Sequence, residues 1–151
     1  MLGGMEGFPI RKTLPHAVPS WVEEGALFFI TVCCAERGRP QLTKPEVAER
    51  VLDALRHYHT AGDWWCRLVV LMPDHLHAIL AFPGEQRMGA VIRKFKIYTA
   101  GQTGVGWQRG YFDHRLRNEN EHALKSYYVR ENPVRAGLVG RAEDWPYRWE
   151  A

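Results

Sequence analysis

Two apolar runs separated by only two residues constrain this chain more than any other feature. Trp64–Met72 (WWCRLVVLM) and His75–Phe82 (HLHAILAF) flank Pro73-Asp74. Runs of this length and apolar content read as strands, and the Pro-Asp pair reads as the break between them. Neighbouring strands joined by so tight a break pair antiparallel, as a hairpin. An earlier run, Ala26–Cys34 (ALFFITVCC), is β-branched and aromatic and ends at Gly38 and Pro40. It predicts a buried strand.

Helical signals lie between and after these strands. Thr43 is the expected N-cap, with Pro45 in the first turn and Glu46 three residues on. Val47, Val51, Ala54, Leu55 and Tyr58 then follow at helical spacing until Gly62-Asp63. A second helix is predicted over Met88–Gln102, where Val91, Phe95, Tyr98 and Gln102 share one face. Tyr111–Leu116 reads as a fourth strand, and Asn118–Arg130 as a helix capped by Asn118 and stopped by Asn132-Pro133. Residues 1–25 read as an extended lead-in, and the tail Trp145–Trp149 is too aromatic for simple disorder. The order predicts an α+β, ferredoxin-like antiparallel sheet with helices on one face and a C-terminal helical extension.

With 151 residues the chain is the size of one domain, and 46% hydrophobic residues mark it as globular. No apolar run reaches the roughly 18 residues of a membrane span, and the N-terminus has no signal pattern. The expectation is a soluble cytoplasmic protein with no membrane partner. Three cysteines without C-x-x-C spacing point to buried reduced thiols in place of a zinc knuckle or disulfides. Charge is uneven: residues 1–86 carry 8 basic against 10 acidic side chains, and residues 87–151 carry 12 against 7. The basic C-terminal half is therefore the candidate nucleic-acid face, although a solvated basic surface would show the same bias.

His75-Leu76-His77 is the first chemical constellation. On a strand, i and i+2 point to one face about 6–7 Å apart, so two imidazoles can converge on one metal ion. The alternative is a pair of half-buried, hydrogen-bonding histidines. His57-Tyr58-His59 has the same spacing but lies near a helix end, where i and i+2 diverge. Tyr98 and Gln102 form the second constellation, neighbours at i and i+4 on a helix. Tyr98 offers a nucleophile and the Gln102 amide oxygen a third ligand. A neutral tyrosine is a weak nucleophile, and a divalent ion on the scissile phosphate would compensate. Imidazole and oxygen ligands together suit Mg²⁺ or Mn²⁺, histidine favouring Mn²⁺. Tyr98 also continues an apolar stripe, so a core role is the competing reading. Arg93, Lys94 and Lys96 stand beside Tyr98 and can hold phosphates, or form a solvated helix face.

Met72-Pro-Asp-His-Leu-His77 resembles the histidine–hydrophobic–histidine segment of the single-tyrosine transposases. Arg93-Lys-Phe-Lys-Ile-Tyr98 followed by Gln102 is similar to their tyrosine helix. Trp107–His114, Tyr128–Val139 (YVRENPVRAGLV) and Glu143–Tyr147 resemble the REP-associated tyrosine transposases in particular. The resemblance spans about residue 12 to the C-terminus. It implies a bacterial, nucleoid-associated nuclease acting on single-stranded DNA beside hairpins, as monomer or homodimer. It implies His75, His77 and Gln102 as metal ligands. Tyr98 would form a 5′-phosphotyrosine link that conserves the phosphodiester energy for rejoining. Residues 107–151 would be the DNA-binding extension, with Trp107, Arg109, Tyr111, His114, Arg115 and Arg117 interleaving aromatics and cations. Trp107 and Tyr111 can alternatively pack the core. Asp74 stands where the family usually has Asn, which leaves a turn role and a supporting role behind the metal ligands both open. The rivals are a hairpin-binding relative without catalysis, an RNA-binding ferredoxin-like module, and a replication initiator or relaxase.

Overall fold

The hairpin at Pro73-Asp74 forms the middle of the sheet. In the computed structural model, which describes residues 18–151, β2 (Trp65–Met72) and β3 (His75–Ala81) pair antiparallel from Met72↔His75 to Trp65↔Ala81. β1 (Leu27–Cys33) pairs antiparallel with the other edge of β3, placing Cys33 opposite His75 and Thr31 opposite His77. β4 (Phe112–Leu116) pairs with β1, and β5 (Arg148–Glu150) with β2. The order is β4-β1-β3-β2-β5. Its first four members have the ferredoxin-like arrangement expected from the element order.

Side-chain alternation along each strand splits the core into two layers. On β3, Leu76, Ala78 and Leu80 point to the first layer. There they meet Ile30 of β1 and Val51 and Leu55 of α2 (Pro45–Ala61). Val91, Ile92 and Phe95 of α3 (Met88–Thr103) complete that layer. Ile79 and Ala81 point to the second layer, with Phe29, Val70, Leu116 and Val129 of α4 (Glu119–Arg130). The two long helices thus cover one face, and the C-terminal extension covers the other.

Most boundaries follow local chemistry. Gly62 ends α2 with φ of 83°, donating its N–H back to His59 and Tyr58. At the start of α2 the N-cap is Lys44, with no side-chain capping bond, instead of the predicted Thr43. Pro45 follows it at the first helical positions, where a missing N–H has no partner to lose. Asn118 caps α4 as predicted: its side chain accepts from the Glu121 amide, while Glu121 Oε1 accepts from the Arg117 amide.

One expectation is corrected and another is extended. The lead-in is not extended throughout, because Ser20–Glu24 forms a short helix, α1, that buries Val22; the rest of it before residue 18 lies outside the described residues. The helix over 118–130 does end at Arg130, just before Asn132-Pro133, as expected. After Glu131 a further turn, α5 (Asn132–Arg135), follows, and the amides of Arg135 and Ala136 donate to Glu131 and Asn132. The aromatic tail is structural: Trp145 is buried, donates to the Leu71 carbonyl at 2.9 Å and leads into β5. All three cysteines are free thiols, Cys34 and Cys66 buried. Among the described residues no helix is long and apolar enough to cross a membrane.

Candidate active site

His75 and His77 share the strand parity of Ile79 and Ala81, so both imidazoles face the second layer, beneath α4. Their ring centroids are 4.7 Å apart. Each ring has its Nδ1 engaged: that of His75 with Asp74 Oδ1 at 2.8 Å, that of His77 with Thr31 Oγ1 at 2.9 Å. Both Nε2 atoms are thereby the ones available to a ligand. Burial, then the neighbouring His75 and the cations Lys125, Arg135 and Arg37, push the His77 imidazole down to about 3. It is neutral at physiological pH, the form that binds metal. Asp74 is held down at about 2 against the cost of burial by the Gly38 amide, His75 and Arg37.

A tyrosine lies on the same face. Phe29 stacks on His77 with centroids 5.1 Å apart. Lys125 Nζ sits 4.5 Å from the Phe29 ring centroid and 4.9 Å from that of Tyr128. Arg135 covers Tyr128 at 3.9 Å and donates to its backbone carbonyl at 2.6 Å. Tyr128 itself is 46% exposed. A shallow cavity of about 270 Å³ between α4 and β4 has Tyr128, Lys125, Leu124 and His114 among its walls. Paired imidazoles, two cations and an exposed phenol thus line one open face of the sheet.

No protein-family model matches the chain. A Haemophilus influenzae protein assigned as a REP-associated tyrosine transposase is 24% identical over 149 residues, covering 82% of this chain and 79% of that one. The Escherichia coli REP-associated tyrosine transposase is 30% identical over 81 residues, 52% of this chain and 49% of its own length. A solved REP-associated tyrosine transposase, bound in that structure to a REP hairpin, superposes with a TM-score of 0.72 at 25% identity. The match covers 82% of this chain and 76% of that one. The chain is similar in sequence and in fold to REP-associated tyrosine transposases. A Deinococcus radiodurans protein assigned as a transposase shares the fold at a TM-score of 0.51 and 17% identity.

Within this transposase-like frame the sequence-predicted site residues fall into separate places. Tyr98 and Gln102 do share a helix face, but it is the face of α3 turned toward α2. Both line a cavity of about 330 Å³ with Arg50 and His57, and Gln102 accepts a 2.6 Å bond from Arg50. Tyr98 is 51% exposed, so it is not a core residue either. The sheet stands between this pair and the histidines, so the single site expected from the sequence does not assemble within one chain. Among the described residues, no group of three His, Cys, Asp or Glu side chains is placed to hold a metal ion.

Arg93, Lys96, Trp107, Arg109 and Tyr111 come together along a groove of about 580 Å³ beside α3. Lys96 donates to the Gly110 carbonyl at 2.6 Å. Trp107 is shared between roles: it packs on Phe95 and donates to Thr99 Oγ1 at 3.0 Å, yet still borders the groove. Lys94 turns away, over the Tyr58 ring at 6.0 Å. Arg115 pairs with Glu85 at 3.4 Å, and Arg117 is exposed after β4. The second pair of histidines, His57 and His59, diverges as helical geometry requires. His57 borders the Tyr98 cavity, while His59 packs on Trp65 and accepts from the Cys66 amide.

Tyr128, Lys125 and Arg135 stand on the histidine face and are candidate site residues that sequence reasoning did not single out. Their signal was present: Lys125 and Tyr128 stand at i and i+3 on the predicted helix over 118–130.

Proposed function

We propose that the chain cuts and rejoins single-stranded DNA beside a hairpin, with Tyr128 as nucleophile and the His75–His77 pair as the metal-binding half of the site. The observation that carries this reading is the sharing of one sheet face by the two imidazoles, Lys125, Arg135 and Tyr128. The REP hairpin bound by the solved relative favours a hairpin as the substrate class.

The donor set fits a divalent cation. His75 and His77 would hold it through Nε2. Asn132 stands four residues beyond Tyr128 on a nearly continuous helical path, and Arg135 three further on does lie over the Tyr128 ring. By that spacing Asn132 is the amide oxygen that would complete the protein ligands, the role first expected of Gln102. Oxygen donors beside two imidazoles suit Mg²⁺ or Mn²⁺. When bound, the ion would neutralise charge on the scissile phosphate.

The protein's own groups do the rest. Tyr128 Oη attacks phosphorus, and the bond from phosphorus to the 3′ oxygen breaks. The phenol gives up its proton and the departing 3′ oxygen takes one up, so a 5′-phosphotyrosine and a 3′-hydroxyl result. Rejoining is the reverse, and no external energy source is required. Lys125 and Arg135 flank the phenol and offset the charge of the phosphate as it is attacked. Phe112, 59% exposed on the adjacent edge strand, offers a stacking surface to an unpaired base. Arg93, Lys96 and Arg109 in the α3 groove would hold the backbone of the hairpin arm.

A denaturing-gel assay for a protein–DNA adduct tests this reading, using a hairpin oligonucleotide with single-stranded flanks, with and without Mn²⁺. The wild type should form a Mn²⁺-dependent adduct, Tyr128→Phe none, and Tyr98→Phe a normal one. An adduct lost in Tyr98→Phe and kept in Tyr128→Phe would return the nucleophile to α3. Tight hairpin binding by the wild type with no adduct would leave a non-catalytic hairpin binder.

A further inference from the structure

The connection after β1 and the β2–β3 turn meet at Asp74, and its carboxylate has three partners. Oδ2 accepts from Arg37 Nε at 3.0 Å and from the Gly38 amide at 2.7 Å. Oδ1 lies 2.8 Å from His75 Nδ1. Arg37 is itself fixed from the other side, where its NH1 lies 2.7 Å from Cys33 Sγ. Gly38 has φ of 83°, a backbone state that side-chain-bearing residues rarely adopt. That conformation accompanies an amide aimed at the carboxylate. Pro73 also ties the two connections together, its carbonyl accepting from the Gln41 and Leu42 amides.

An ionised carboxylate accepts hydrogen bonds and donates none. Facing Oδ1, a neutral His75 must carry its proton on Nδ1 and expose the Nε2 lone pair. An imidazole free in water favours the opposite tautomer, with Nε2 protonated and unable to ligate. Asparagine in this position would not reproduce the effect. Arg37 and Gly38 both donate toward the Oδ2 position, so the amide would turn its oxygen there and its NH₂ toward His75, selecting the wrong tautomer.

We propose that Asp74 is a positioning residue for metal ligation: anchored by Arg37 and the Gly38 amide, it holds His75 with Nδ1 protonated and Nε2 free for a divalent cation. This rests on the nuclease reading for its purpose, and on the hydrogen-bond geometry alone for its mechanism.

Long-range ¹H–¹⁵N spectra of the histidine rings, recorded on the metal-free full chain above neutral pH, read the tautomer directly. Mn²⁺ titration followed by electron paramagnetic resonance reads affinity. The wild type should show His75 protonated on Nδ1. Asp74→Asn should shift it toward the Nε2 form and weaken Mn²⁺ binding by roughly 10–100-fold, the usual cost of losing a group that orients a ligand. Arg37→Gln, which leaves the carboxylate in place but loosens it, should give a smaller loss in the same direction. A wild-type His75 protonated on Nε2, or a tautomer and affinity untouched by Asp74→Asn in a protein that binds Mn²⁺, overturns the proposal alone. A wild type with the expected tautomer that takes up no Mn²⁺ overturns the nuclease reading, and the ligation role with it.

Discussion

The two faces of the sheet are built by the same five strands and do opposite things. On the α2–α3 face every inward position of β3 is apolar, and Leu76, Ala78 and Leu80 are sealed by two long helices. On the α4 face the same strand presents His75 and His77 before Ile79 and Ala81, and the cover is partial. The first face spends its whole surface on burial, which drives folding. The second gives up part of that burial at the His75 end of β3, where polar groups can meet a ligand. Alternation along a single strand is enough to keep the two apart.

That contrast can be broken by substitutions a single residue apart. Leu76→Ala should cost about 2–5 kcal/mol, as a buried leucine does, and lower the melting temperature with little specific effect on Mn²⁺ response. His77→Ala should abolish Mn²⁺-dependent cleavage while destabilising the fold less; equal losses of stability with metal response intact in both would erase the distinction between faces. Lys125→Ala should slow cleavage by roughly 10²-fold, comparable to loss of one charge-stabilising donor, with hairpin affinity reduced much less. If affinity and rate fall together, Lys125 serves binding only.

The groove beside α3 gives a smaller and different signal. Substituting Arg93 and Arg109 together should reduce the slope of log affinity against log salt by about 0.7–0.9 for each DNA phosphate that is no longer neutralised. An unchanged slope would remove that groove from the DNA path. Gln102→Ala should do least. It breaks a surface bond to Arg50, so stability should move by less than about 0.5 kcal/mol and Mn²⁺ affinity not at all. A clear loss of Mn²⁺ binding in Gln102→Ala would show that α3 reaches the metal after all, for example across a dimer.

The hairpin, the two long helices and the capped α4 were legible because each is announced by local chemistry: Pro73-Asp74, the 3.6-residue stripe from Val47 to Tyr58, and Asn118 with Glu121. The His75–His77 pair was legible for the same reason. Which side chains share their face was not, because the helical spacing of Tyr98 and Gln102 is real but says nothing about which face of the sheet the helix covers. The deciding clue was the parity of β3. Leu76, Ala78 and Leu80 belong to the layer under α2 and α3, so the histidines had to face whatever covers the other side. Tyr128 stood out only for its place in a transposase-like segment, and its helix carries little apolar periodicity to set its orientation. The contacts made by Asp74 depend on a loop that meets it from 36 residues away in sequence, a proximity that no local pattern announces.

The central claim is that the nucleophile belongs to the histidine face. Mapping the covalently attached nucleotide by mass spectrometry after tryptic digestion tests it most directly. The nucleotide should be found on the Ser126–Arg130 peptide, and fragmentation should place it on Tyr128 and not on Tyr127. A nucleotide on Tyr98, in the Ile97–Arg109 peptide, would contradict the account and move the chemistry to the other side of the sheet.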